Sequence, residues 1–142
     1  MSNLEQRCAG RKTQTFTGGK LDLMNAVDFD LRIDPYAARV FRAIIFCLNA
    51  ETGKCFPSDD WITCAIGGTR KRVVRAGYEL RKYGYLDWRK TGRSNLYSFN
   101  HAAAVVTLAG GRLRLEKHKE YREMRKRDVS LAGHHDVPWV TH

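Results

Sequence analysis

Residues 57–99 constrain the fold of this chain more than any other segment: PSDDWITCAIGGTRKRVVRAGYELRKYGYLDWRKTGRSNLYSF. Ser58 and Thr69 are typical helix N-caps, since their hydroxyls can accept hydrogen bonds from unpaired backbone N–H groups. Between the helices that they begin, the Gly67-Gly68 pair interrupts the helical pattern. The sequence therefore predicts two short helices joined by a sharp turn, over residues 59–65 and 70–83.

A β-hairpin is predicted directly after the second helix. Gly84 is a typical helix-ending residue, because glycine adopts the left-handed conformation at little cost. Residues 85–89 then alternate as in a strand, residues 90–95 have turn chemistry, and residues 96–99 form a returning strand.

This unit carries most of the positive charge of the chain. Nine Lys/Arg and two acidic residues lie between Thr69 and Asn95, a local net charge of +7 out of +10 for all 142 residues. A projection of the second helix puts small and apolar residues on one side and basic residues and a tyrosine on the other. The first set is Val73, Ala76, Gly77 and Leu80, and the second is Lys71, Arg75, Tyr78 and Lys82. Such a cationic surface suits a polyanion.

The N-terminal part of the chain divides into an arm and a helix. Residues 1–33 are predicted to form a loose arm, with an extended segment or a short strand over residues 20–33. Asp34 and Pro35 fit the cap and the first position of a helix, which continues with apolar residues at helical spacing. Ile45 and Phe46 widen its apolar stripe, so we expect the N-terminal segment, the C-terminal part or another subunit to cover them.

Residues 101–142 are predicted to form a helical extension after the domain of residues 34–100. A weak helix over residues 101–109 ends at Gly110-Gly111, and a charged helix follows over residues 112–128. Its weakly apolar line, Leu113, Tyr121 and Met124, is a candidate surface for self-association. The remaining tail has no regular pattern.

The sequence shows no pattern typical of an enzyme or a metal site. It contains no glycine-rich phosphate loop, no nucleophile elbow and no H-E-x-x-H helix. The four cysteines form no C-x-x-C pair, so Cys47 and Cys64 are predicted to be buried, reduced thiols, and a zinc site including Cys55 has no motif support. We therefore expect no catalytic residue, no metal and no cofactor.

The segment from residue 35 to residue 99 resembles the winged helix-turn-helix family, in particular its bacterial, phage and plasmid members. The matching residues are Pro57-Ser58, Ile62, Gly67, Thr69, Val73, Arg75-Ala76, Leu80, Gly84 and the run Gly92-Arg93-Ser94-Asn95-Leu96-Tyr97. The resemblance implies a mainly α fold with a small β-hairpin, extended here by a C-terminal helix. Gly68 replaces an apolar turn residue of the family, which predicts a looser turn.

The resemblance also implies where the chain would contact double-stranded DNA. The second helix would enter the major groove, and the hairpin, or wing, would reach the flanking backbone or minor groove. The expected contacts in the helix are Thr69, Arg70, Lys71, Arg72 and Arg75, with Lys71 and Arg75 reading bases. The expected contacts in the wing are Arg89, Lys90, Arg93, Ser94 and Asn95.

The function predicted from these features is sequence-specific DNA binding by a homodimeric transcriptional regulator in the bacterial cytoplasm, associated with the nucleoid. One alternative is an accessory protein in plasmid or phage replication initiation, for which the chain is short. Another is a winged module that binds an acidic protein. The N-terminus lacks an apolar signal segment and no stretch approaches a membrane span, so no membrane partner is expected.

Overall fold

The computed structural model describes residues 16–92 and 94–132. Within them the chain is mainly helical with one small antiparallel hairpin, as predicted. The elements are α1 (Phe16–Phe29), α2 (Pro35–Phe46), α3 (Asp59–Ile66), α4 (Arg70–Lys82), β1 (Leu86–Thr91), β2 (Ser94–Phe99) and α5 (His101–Ala132).

Helix α1 replaces the predicted extended segment. It packs against α2 and buries Leu23, Ala26 and Val27 in the core. The prediction was wrong because Gly18-Gly19 and the polar residues around these three give a weak local helix signal. Burial of one short apolar stripe against a neighbouring helix overrides that weak preference.

Helix α2 runs through the core and begins as predicted. The Asp34 side chain accepts a hydrogen bond from the backbone N–H of Tyr36, and Pro35 occupies the first turn. Of the two residues expected to need cover, Ile45 is buried, whereas Phe46 remains 75% exposed. The Phe46 ring stacks on Trp61 of α3, with centroids 6.4 Å apart and planes 14° from parallel.

Helices α3 and α4 also begin at the predicted caps. The hydroxyl of Ser58 accepts from the N–H of Trp61, and that of Thr69 accepts from the N–H of Arg72. Gly84, with φ of +82°, follows the end of α4. Both helices pack against α2, so the same helix supports both sides of the turn between them.

The hairpin is longer and its turn tighter than predicted. Pairing extends from Leu86 opposite Phe99 to Thr91 opposite Ser94. Cys55 belongs to no strand, but its carbonyl accepts a hydrogen bond of 2.7 Å from the N–H of Tyr97 in β2.

Helix α5 continues through Gly110-Gly111, so the predicted break was wrong. A glycine inside a helix costs only about 1 kcal/mol relative to alanine, which a long helix can tolerate. The chain divides into two compact units, Met1–Leu108 and Ala109–His142. The irregular tail predicted after residue 128 is helical up to Ala132, and its remainder lies outside the described residues. No helix in the described ranges is long and apolar enough to cross a membrane.

A polar network around the buried Asp30 and Tyr85 links three segments of the first unit: the turn after α1, the residue before β1 and helix α5. Tyr85 donates a hydrogen bond of 2.6 Å to Asp30, and its hydroxyl also contacts the hydroxyl of Thr107 in α5. Arg32 donates to both carboxylate oxygens of Asp30, at 2.9 and 2.7 Å. These Arg32 hydrogen bonds are the main reason why the pKa of Asp30 falls to about 2. Burial, with the neighbouring carboxylate, raises the pKa of Tyr85 to about 12.

Candidate nucleic-acid interface

Helix α4 presents its basic side chains outward because its other side is in the core. All four residues predicted for the inner side, Val73, Ala76, Gly77 and Leu80, are buried. The opposite residues Lys71 and Arg75 are exposed, as are Arg70 and Thr69 at the start of the helix. The projection made from the sequence is therefore confirmed for both sides of α4.

Aromatic contacts hold the hairpin beside α4. The Trp88 ring meets the edge of Tyr78 at 5.2 Å and lies 5.9 Å from Tyr97 between centroids. Arg81 of α4 lies over the Trp88 ring at 4.6 Å and pairs with Asp87 at 2.9 Å. Through these contacts Trp88 packs the hairpin against α4.

A cleft of about 400 Å³ lies between α4 and the hairpin. Arg70 of α4 lines it together with Lys90, Ser94 and Asn95 of the hairpin. Four of the ten predicted DNA-contacting residues thus come together around one cavity. Its aromatic and apolar lining includes Val73, Tyr78, Trp88 and Tyr97.

Arg89 lies elsewhere on the hairpin. Side chains alternate along a strand, and Arg89 lines a second groove on the hairpin, with Asp87, Ser98 and Lys54. The structure therefore does not place Arg89 in the cleft with Lys90. Arg93 falls outside the described residues; its neighbour Gly92 has φ of +59°, the left-handed conformation that a tight turn requires.

Arg72 is exposed, but its guanidinium group contacts an aromatic ring. The guanidinium carbon lies 3.9 Å from the centroid of the Tyr36 ring. Tyr36 in turn donates a hydrogen bond of 2.9 Å to the carbonyl of Gly67. Sequence reasoning missed Tyr36 because 31 residues separate it from Gly67, and no local pattern predicts a contact at that range.

An acidic residue also lines the cleft. Asp59 lies in the first turn of α3, where its negative charge complements the positive end of the helix. The structure adds its position in the cleft, near Tyr97. Burial raises the pKa of Tyr97, and the negative charge of Asp59 acts in the same direction. The cleft is therefore not uniformly basic.

The cysteines do not form a metal site within the described ranges, where no group of three or more His, Cys, Asp or Glu side chains could hold an ion. Cys55 is buried, donates its thiol hydrogen to the carbonyl of Ile44, and has its pKa raised to about 12 by burial. Cys47 is half-buried, whereas Cys64 is exposed, so its predicted burial was wrong. Cys64 lies on a side of the short helix α3 that is turned away from the core residue Ile62.

Comparisons of the chain with family models, curated proteins and solved structures found no match.

Proposed function

We propose that this chain is a winged helix-turn-helix protein that binds double-stranded DNA and regulates transcription. In this proposal α3 and α4 are the helix-turn-helix, α4 is the recognition helix, and the β1–β2 hairpin is the wing. The observation that carries the proposal is the meeting of Arg70 with Lys90, Ser94 and Asn95 around one cleft, beside the exposed Lys71 and Arg75.

The chemistry of these side chains fits a DNA duplex. Arginine and lysine attract phosphates, and both can donate to the major-groove acceptors of guanine. Asparagine can donate to and accept from adenine, and serine can contact either bases or phosphates. Contacts with phosphates would provide affinity, and contacts between the outward side of α4 and the bases would provide sequence preference.

Asp59 adds a feature that a purely charge-driven surface would not need. A carboxylate near the backbone repels phosphate, but it can accept from the amino group of cytosine. Its presence in a basic cleft favours a surface that discriminates between sequences.

A selection from random duplexes tests the proposal. The full chain is incubated with a pool of double-stranded oligonucleotides, with an excess of polyglutamate as competitor, and the bound fraction is sequenced. We expect a short sequence to be enriched. Binding that polyglutamate abolishes, with no enriched sequence, would favour the alternative in which the surface binds an acidic protein.

The transcriptional role is distinguished from the replication role by the position of the enriched sequence. A regulator should select a sequence found near promoters, whereas a replication accessory protein should select repeats at an origin. The genomic neighbourhood of the coding sequence provides an independent comparison.

A further inference from the structure

Tyr36 connects the first turn of α2 to the turn before α4. Its hydroxyl donates to the Gly67 carbonyl at 2.9 Å, and Gly67 and Gly68 have φ of +83° and +94°. A Cβ added to Gly68 would lie 2.4 Å from the Tyr36 hydroxyl oxygen. The positive φ of Gly68 therefore favours glycine, and a Cβ there would require the Tyr36 hydroxyl to shift; the turn is held more closely than the sequence suggested.

The same tyrosine holds Arg72. The guanidinium carbon lies over the ring, 3.9 Å from the ring centroid. A guanidinium held over an aromatic ring can still use the N–H donors at its edge for paired hydrogen bonds with an oxyanion. Because α2 holds the ring, the orientation of the donors is set before any ligand binds.

Arg72 also differs in direction from its basic neighbours. In α4 it lies about 100° round the helix axis from the buried Val73, between the core side and the outward side that carries Lys71 and Arg75. A side chain at this flank lies beside α2 and the turn rather than on the side expected to face base edges. The DNA group at the flank of a recognition helix is the phosphate backbone.

We infer that Arg72 is a preorganised phosphate contact and that Tyr36 is the residue that positions it. This inference rests on the proposed DNA binding and assigns different roles to the basic residues of α4. Arg72 supplies affinity for any duplex, whereas Lys71 and Arg75 supply preference for sequence.

The first test compares three variants of the full chain on the selected sequence and on an unrelated duplex. Arg72→Ala should weaken binding to both duplexes by about tenfold and reduce the salt slope by about 1. Arg72→Lys keeps the charge but not the paired donors, so it should keep the slope and lose about threefold or more in affinity. Arg39→Ala is the matched control: it removes a positive charge from the groove between α1 and α2, and it should change neither the affinity nor the salt slope.

Tyr36 is tested by its coupling to Arg72. Tyr36→Leu removes the ring and should weaken binding to both duplexes by about five- to tenfold. Introduced into the Arg72→Ala chain, the same change should have little further effect, because the side chain that it positions is gone. Tyr36→Phe keeps the stack and loses only the bond to Gly67, so it should bind more tightly than Tyr36→Leu.

The outcomes separate this inference from the proposed function. Failure of the wild-type chain to bind any duplex would overturn both. Normal wild-type binding with additive effects of Tyr36→Leu and Arg72→Ala would overturn the positioning role alone. A loss confined to the selected sequence would make Arg72 a base-reading residue. If Tyr36→Leu proves unfolded by circular dichroism, Arg72→Lys binding both duplexes as tightly as wild type would contradict the inference.

Discussion

Lys71 and Arg75 are the two side chains whose direction best suits base recognition. Both are exposed, and both lie opposite the buried Val73 and Leu80. We predict that Lys71→Ala and Arg75→Ala each cost about 1–3 kcal/mol on the selected sequence while non-specific binding falls much less. Competition titrations with selected and unrelated duplexes measure this difference. Equal losses on both duplexes would assign these residues to phosphates instead.

Asp30 is the residue whose ionisation should control acid stability. Its pKa is about 2 in the folded chain and 3.8 in an unconstrained one. The unfolded chain therefore binds more protons between these values, and stability should fall as the pH decreases. The contribution of about 2 kcal/mol is fully present above pH 3.8 and lost as the pH falls through 2.

Urea unfolding over this pH range tests the role of Asp30. Asp30→Asn should be less stable than wild type at neutral pH and should show a flatter pH dependence below pH 3.8. Asp60→Asn, at an exposed position in α3, is the matched control for the charge. If the control flattened the profile as much as Asp30→Asn, the buried network would not be the cause.

At the scale of elements, two neighbouring basic residues of the hairpin line different cavities, which allows their effects on DNA binding to be compared. Lys90 lines the cleft with Arg70, whereas Arg89 lines the other groove. We predict that Lys90→Ala weakens DNA binding several-fold and lowers the salt slope by about 1, while Arg89→Ala does so less. Equal effects would mean that charge alone, not the cleft, determines binding by the hairpin.

The elements that the sequence predicted well begin or end at residues with local capping or turn signals. Asp34, Ser58 and Thr69 each provide a capping oxygen, and Gly84 provides a positive φ after α4. Such signals act within a few residues and do not depend on the rest of the fold. The start points of three helices and the sides of α4 could therefore be predicted.

The elements that the sequence missed depend on distant contacts or on tolerated glycines. Helix α1 is stabilised by packing on α2, which its own residues do not reveal. Helix α5 passes through two glycines that usually end a helix. In the candidate interface, residue types predicted the basic groups, but the separation of Arg89 from Lys90 and the Tyr36 contact required the three-dimensional structure.

At the scale of the whole molecule, we propose that the protein forms a dimer. A single winged domain recognises a short half-site, and a two-fold partner would double the length of DNA that is recognised. Ile45 is buried and so is unavailable, which leaves two candidate surfaces: the exposed Phe46 with Trp61, and Leu113, Tyr121 and Met124 of α5, each more than 40% exposed.

Truncation after Leu108 distinguishes these surfaces. This boundary keeps Ala104 and Thr107, which belong to the core and to the buried network of the first unit. We predict a dimer for the full chain and a folded monomer for the truncated chain by light scattering. A dimer that persists would favour Phe46 and Trp61. A full-length chain that remains monomeric, free and on DNA, would contradict the dimer.

The salt dependence of duplex binding tests the central claim most directly. The +7 net charge between Thr69 and Asn95 should neutralise about 4 to 6 phosphates. The logarithm of the association constant should therefore fall with the logarithm of salt concentration with a slope of about −4 to −5. A slope near zero, or no binding of the full chain to duplex DNA at low salt, would contradict the account.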